Sequence, residues 1–72
     1  MKRTLLQFKR ETEVTTKAIA QLAQLPISDV FVVETGGYVS SLKALKVVRA
    51  FNQLSGMQVR LVDIKFTESI YQ

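Results

Sequence analysis

The stretch that decides the fold is Val30-Phe31-Val32-Val33-Glu34-Thr35-Gly36-Gly37-Tyr38-Val39, near the middle of the 72-residue chain. Its first five residues are rich in β-branched and aromatic side chains, which favours a short strand. Gly36 and Gly37 follow, and two consecutive glycines between apolar runs supply the positive φ values that a tight hairpin needs. The sequence therefore predicts a β-hairpin whose return strand begins at Tyr38. Nothing resembling a P-loop surrounds the glycines, so a turn is favoured over an anion site.

A helix is predicted on each side of this hairpin. Residues 12–25 carry apolar side chains at three-to-four spacing, with Thr12 as the expected N-cap and Pro26 as the stop. Residues 42–54 repeat the pattern, and Gly56 is expected to end that helix in a left-handed conformation. The apolar face of the second helix consists of Ala44, Val47, Val48, Phe51 and Leu54.

The two ends of the chain are predicted to be strands. Residues 4–9 alternate between apolar and polar side chains, and so do residues 57–66, with a slip at Leu61–Val62 that suggests a bulge. The element order is then βαββαβ. This order predicts an α+β open-faced sandwich, in which two helices cover one face of a four-stranded antiparallel sheet. Residues 1–72 are expected to form a single domain.

Composition excludes several kinds of chemistry. The chain has no histidine and no cysteine, so Ser-His and Cys-His mechanisms, histidine phosphorylation and structural zinc sites are excluded. Its six acidic residues include no pair at metal-ligand spacing. We therefore expect no catalytic residue, no cofactor and no metal, and the chain is not expected to be an enzyme.

The charge and hydropathy patterns give a general expectation about location and partners. The net charge is +4 and the pI is near 9.8, which favours acidic partners such as nucleic acid or an acidic protein surface. The longest apolar run is residues 30–33, too short for a membrane helix, and Gln7 and Lys9 interrupt the first apolar stretch before a signal-peptide core forms. A cytoplasmic protein without membrane insertion is expected.

Between Asp29 and Asp63 the chain resembles HPr, the small histidine phosphocarrier of the bacterial sugar phosphotransferase system. The shared features are an aspartate before an apolar strand, a glycine-containing hairpin and a Val-x-x-Leu-Lys entry to the second helix at residues 39–43. The run from Gly56 to Leu61 into the last strand is also similar. The resemblance implies the βαββαβ sandwich with both helices on one side of the sheet.

The chain departs from HPr where that family carries its phosphate. The family's histidine, followed by Ala-Arg-Pro, corresponds to a place in residues 10–16, and an ungapped count puts Thr12 at the histidine position. The regulatory serine of some members falls at Ala44. Ser41, three residues earlier, is either an N-cap, which is the favoured interpretation, or a phosphorylation site. The resemblance therefore implies a degenerate member that transfers no phosphate.

A partner-binding surface is predicted on the second helix. In HPr proteins apolar residues of this helix dock on partner enzymes, and two of those places hold Lys46 and Arg49 here. The solvated side of an amphipathic helix would look the same. The predicted partner-binding residues are Leu42, Lys43, Leu45, Lys46 and Arg49.

Three functions follow as expectations. The first is a non-catalytic, regulatory or protein–protein interaction module, which binds a protein partner or forms a homodimer through a strand edge. The second is a small basic α/β nucleic-acid-binding module that uses the Lys43, Lys46 and Arg49 ridge. The third is a subunit or fragment of a larger assembly.

Overall fold

Four helices make up most of the structure, a computed structural model that describes residues 2–68. They are α1 (Leu5–Lys9), α2 (Thr16–Ala23), α3 (Ile27–Glu34) and α4 (Ser41–Ser55). Two short strands, β1 (Tyr38–Val39) and β2 (Thr67–Glu68), lie after α3 and near the end of the described chain, and a 3₁₀ turn occupies Leu61–Asp63.

The predicted open-faced sandwich is wrong. Residues 4–9, predicted as a strand, contain helix α1 instead. Residues 57–66 contain the 3₁₀ turn and one isolated bridge, between Arg3 and Ile64. Within residues 2–68 the ladder is limited to β1 and β2, which run parallel with Tyr38 opposite Thr67. The fold implied by the resemblance to HPr is therefore not the fold of this chain, and residues 2–68 contain no four-stranded sheet whose edge could pair two copies.

The apolar run predicted as a strand forms helix α3. Val30, Val33 and Glu34 are all fully buried, and their spacing of three and four residues is that of one helix face. Strand propensity depends on context, and burial on one side of a helix outweighs it here. The helical spacing was not evident from the sequence, because the buried Glu34 looks like a polar residue at the end of a strand.

The predicted hairpin at Gly36 and Gly37 is also wrong, although a Cβ atom would be crowded at both positions. The Gly37 N–H donates to the Val32 carbonyl oxygen at 2.9 Å, which turns the chain away from the end of α3. Gly36 has a φ of 81°, and a Cβ atom there would lie 3.1 Å from the Lys65 carbonyl oxygen. The pair thus connects α3 to β1 with the backbone of residue 65 packed against it.

The other helix ends follow their caps. Helix α2 begins three residues later than predicted, because the Thr15 hydroxyl, rather than that of Thr12, accepts from an N–H of the first turn. Helix α4 confirms the prediction for residues 42–54, extended by one residue at each end. Gly56 ends it with a φ of 77°, also as predicted.

The core lies between the four helices. Phe51, Val47 and Val48 of α4 pack with buried residues of every other helix; these include Leu5, Ile19, Val30 and Val33. The chain after α4 is held to it by Asn52, whose side chain donates to the Val59 carbonyl at 2.7 Å and accepts from the Val59 N–H at 3.0 Å. No helix in the described part of the chain has the length and apolar character needed to cross a bilayer.

Candidate functional site

Helices α2 and α3 form a unit joined by a turn of residues 24–26. Gln24 ends α2 in the left-handed region, with φ 58° and ψ 46°. The Leu25 N–H also donates to the Ala20 carbonyl, at 3.1 Å. Pro26 then begins α3, and its carbonyl accepts from the N–H groups of Asp29 and Val30 at 3.0 and 3.3 Å. Backbone hydrogen bonds therefore fix the turn to both helix ends.

A buried polar cluster fixes the far end of this unit. The Thr16 hydroxyl, at the start of α2, lies 3.0 Å from both carboxylate oxygens of Glu34, at the end of α3. Lys9 of α1 completes the cluster: its Nζ is 3.1 Å from Glu34 Oε2 and 2.6 Å from the Thr16 hydroxyl. Among the described residues, no buried side-chain polar atom lacks a hydrogen-bond partner. One carboxylate thus links α1, α2 and α3.

The side of α3 that faces solvent is partly apolar. Ile27 is 54% exposed and Phe31 is 57% exposed, and Ser28 is exposed between them. These three residues, here named the α3 outer face, lie within an arc of about 100° on the helix. None of them contributes to the core, so the chain exposes two large apolar side chains on one helix without a folding reason.

The unit formed by α2 and α3 also carries charged and polar side chains outside the α3 outer face. Asp29 of α3 forms an ion pair with Lys43 of α4, with 3.4 Å between Oδ2 and Nζ. Asp29 is about 160° around the helix from both Ile27 and Phe31, so this pair lies on the opposite side of α3 from those two side chains. Lys17 is exposed in the first turn of α2. The exposed Thr15 caps that turn, and its Oγ1 accepts from the Ala18 N–H at 3.1 Å.

The predicted partner-binding residues separate into two groups in the structure. Lys43 lies beside α3, through its pair with Asp29. Lys46 and Arg49 are exposed and line a groove of about 270 Å³ with the end of α2. Leu42 is 62% exposed and Leu45 is half-buried. The role of these five residues in partner binding stays a prediction. In the structure, Lys43 lies beside α3, whereas Lys46 and Arg49 lie beside the end of α2.

Ser41 does not cap the helix. The N-cap of α4 is Ser40, whose hydroxyl accepts from the Lys43 N–H at 3.3 Å, and Ser41 is the first helical residue. The interpretation of Ser41 as an N-cap is therefore wrong by one residue. Its phosphorylation stays a prediction.

Two other features of the surface are a groove and an exposed ion pair. A groove of about 490 Å³ lies between the start of α2 and the end of α4, lined by residues 11–15, 18, 54 and 55. Arg60 and Asp63 form an exposed pair, and the Arg60 hydrogen bonds hold the pKa of Asp63 below its ordinary value. In residues 2–68 no three acidic side chains lie together in a way that would hold a metal ion.

Sequence reasoning missed the α3 outer face because residues 30–34 were assigned to a strand. A signal was present in Pro26 and Asp29. Proline is favoured at helix starts and an acidic residue suits the first turn, so Pro26 marks the beginning of a second helix as well as the end of the first.

Comparison with known proteins gives no family assignment: no family model, no curated protein and no solved structure matches this chain.

Proposed function

We propose that this chain is a double-stranded-DNA-binding domain that presents α3 to the major groove. The observation that supports this function is the α2–turn–α3 unit, two eight-residue helices joined by residues 24–26. A helix-turn-helix DNA-binding motif has two helices joined by a turn of about three or four residues, and its second helix enters the major groove. Helix α3 is the second helix of this unit and carries the exposed α3 outer face.

The charges favour a polyanion as the partner. The net charge is +4, and contacts with phosphates supply most of the affinity of DNA-binding proteins. Lys17 is exposed on α2 and Lys43 lies beside α3, so each neighbouring helix contributes a cation near the unit. Both acidic residues of α3 are already paired, Asp29 with Lys43 and Glu34 with Lys9.

The buried cluster favours a fixed docking geometry. Because Glu34 bonds to α1 and α2 at once, the orientation of α3 is set from inside the protein. A helix that must fit a groove about 12 Å wide gains from such rigidity. The proposal keeps the expectations of a non-enzymatic and cytoplasmic protein; a sequence without cysteine supports the second.

The test begins with enrichment of duplexes from a randomised library, followed by fluorescence anisotropy on the enriched duplex. Phe31→Glu places a negative charge on the α3 outer face and should abolish binding. Val62→Glu is the matched control, since Val62 is 62% exposed on the 3₁₀ turn and the change in net charge is the same. Its binding should stay within a few-fold of the wild type.

Two outcomes would contradict the proposal. One is the absence of duplex binding by the wild-type protein at low salt. The other is loss of binding in a Lys46→Gln, Arg49→Gln double variant with retention in Phe31→Glu, because binding would then use the α4 ridge.

A second candidate function is protein binding at the start of α4. Tyr38 and Leu42 are 77% and 62% exposed, and exposed aromatic and aliphatic side chains are typical of protein interfaces. A partner captured by the wild-type protein but not by a Tyr38→Ser, Leu42→Ser variant would support this function. Capture that is equally lost in Phe31→Glu would instead assign the partner to the α3 outer face.

A further inference from the structure

Hydrogen-bonding groups are scarce on the α3 outer face. A DNA-reading helix distinguishes bases mainly through arginine, lysine, asparagine or glutamine, which form paired hydrogen bonds with guanine or adenine. Helix α3, ISDVFVVE, contains none of these four residue types. Asp29 lies on the opposite side of α3 from Ile27 and Phe31 and is paired with Lys43, so Ser28 carries the polar side chain of the α3 outer face.

Apolar contact with bases is what this face provides. In the major groove, the C5-methyl group of thymine is the apolar feature that distinguishes bases, and phenylalanine is among the side chains that contact it. Ile27 and Phe31 are one helical turn apart and both more than half exposed. They therefore offer two apolar surfaces about 6 Å apart along the helix, on a helix already oriented by its buried end.

We infer that α3 selects duplexes by contact of Ile27 and Phe31 with thymine methyl groups, and that it reads guanine weakly. This inference rests on the proposed function and adds the class of sequence recognised. Lys17 and Lys43 then supply phosphate contacts that are independent of sequence.

The test replaces every thymine in the enriched duplex with uracil, which removes the methyl group and leaves the base-pairing edge unchanged. Removal of each methyl group that packs against α3 should weaken binding about fourfold, as expected for one buried CH₂-sized group. The Ile27→Ala, Phe31→Ala variant should bind the thymine duplex as weakly as the wild type binds the uracil duplex. The same variant should bind the uracil and thymine duplexes equally well, because it lacks the side chains that contact the methyl groups.

Val62→Ala is the control, since it removes an exposed apolar side chain from another element. It should bind like the wild type and remain sensitive to uracil. Circular dichroism of each variant establishes that the helices are intact.

The failure of this inference differs from the failure of the proposed function. Equal affinity for thymine and uracil duplexes, or enrichment of guanine-rich sites, overturns methyl recognition while DNA binding stands. Absence of any duplex binding at low salt overturns both. A wild-type dimer that becomes monomeric in the Ile27→Ala, Phe31→Ala variant, with duplex binding unchanged, would assign the face to self-association and overturn methyl recognition.

Discussion

Glu34 and Lys9 form an ion pair in the protein interior, with 3.1 Å between Oε2 and Nζ and with side-chain exposures of 0% and 16%. Removing one partner of a buried pair leaves the other charge without compensation, which costs about 3–5 kcal/mol. We expect Glu34→Ala to lower the free energy of unfolding by about that amount in urea titrations.

Two variants make this result interpretable. Glu34→Gln also leaves the Lys9 charge without a counter-charge, but it keeps the side-chain volume and a hydrogen-bond acceptor, so it should destabilise the protein less than Glu34→Ala. Glu13→Ala removes an exposed carboxylate and should change stability by no more than about 0.5 kcal/mol. Equal destabilisation by Glu34→Ala and Glu13→Ala would show that the cluster contributes nothing.

Asn52 should be essential for the attachment of residues 57–60 to α4. Its side chain makes both hydrogen bonds of the Val59 backbone, and an unsatisfied buried polar group costs about 1–3 kcal/mol. Asn52→Ala should lower stability by about that much and expose the Val59 N–H to fast hydrogen exchange. Gln53→Ala, at the next and exposed position, should leave both measurements unchanged.

Gly36 and Gly56 allow backbone strain to be separated from steric conflict. Both have positive φ, but a Cβ at Gly36 meets the Lys65 carbonyl at 3.1 Å while a Cβ at Gly56 meets nothing within 4 Å. Gly56→Ala should therefore lower the free energy of unfolding only through its left-handed backbone conformation, by about 1–2 kcal/mol. Gly36→Ala should cost more, and denaturant midpoints would show the order. The reverse order would contradict the close approach of residue 65.

Asp63 should titrate below its ordinary pKa of 3.8 because Arg60 hydrogen-bonds to its carboxylate. A lowered native pKa means that the pair stabilises the fold above the unfolded-state pKa and that this contribution disappears as the pH falls through the native value. Carboxyl NMR titration should show the Asp63 pKa rising in Arg60→Gln. An unchanged value would mean that the pair does not persist in solution.

Asp29→Asn should strengthen duplex binding if α3 is the DNA-reading helix. The change removes a negative charge from α3 and releases Lys43 from its 3.4 Å pair. One more phosphate contact should steepen the dependence of log K on log salt by about 0.9. Asp63→Asn gives the same change in net charge on another element, so equal effects of both variants would indicate an unspecific charge effect.

Local signals predicted part of this fold. Helix α4 was predictable because its apolar spacing, a serine near its start and Gly56 at its end agree. The strand assigned to residues 30–34 failed because Glu34 is buried by partners 18 and 25 residues away in sequence, Thr16 and Lys9, which no local pattern records. The α3 outer face could not be predicted once those residues were assigned to a sheet. The ion pair between Lys43 and Asp29 could not be predicted either, because it depends on the packing of α3 against α4.

The Glu34 carboxylate, which links α1, α2 and α3, also affects which substitutions this domain tolerates. Because the Glu34 contacts inside the protein fix the orientation of α3, the side chains at residues 27, 28 and 31 contribute little to folding and can be substituted. Grafting three new residues there should redirect the molecule to another target while its thermal midpoint stays nearly constant, so one unchanged interior can support exchangeable specificities.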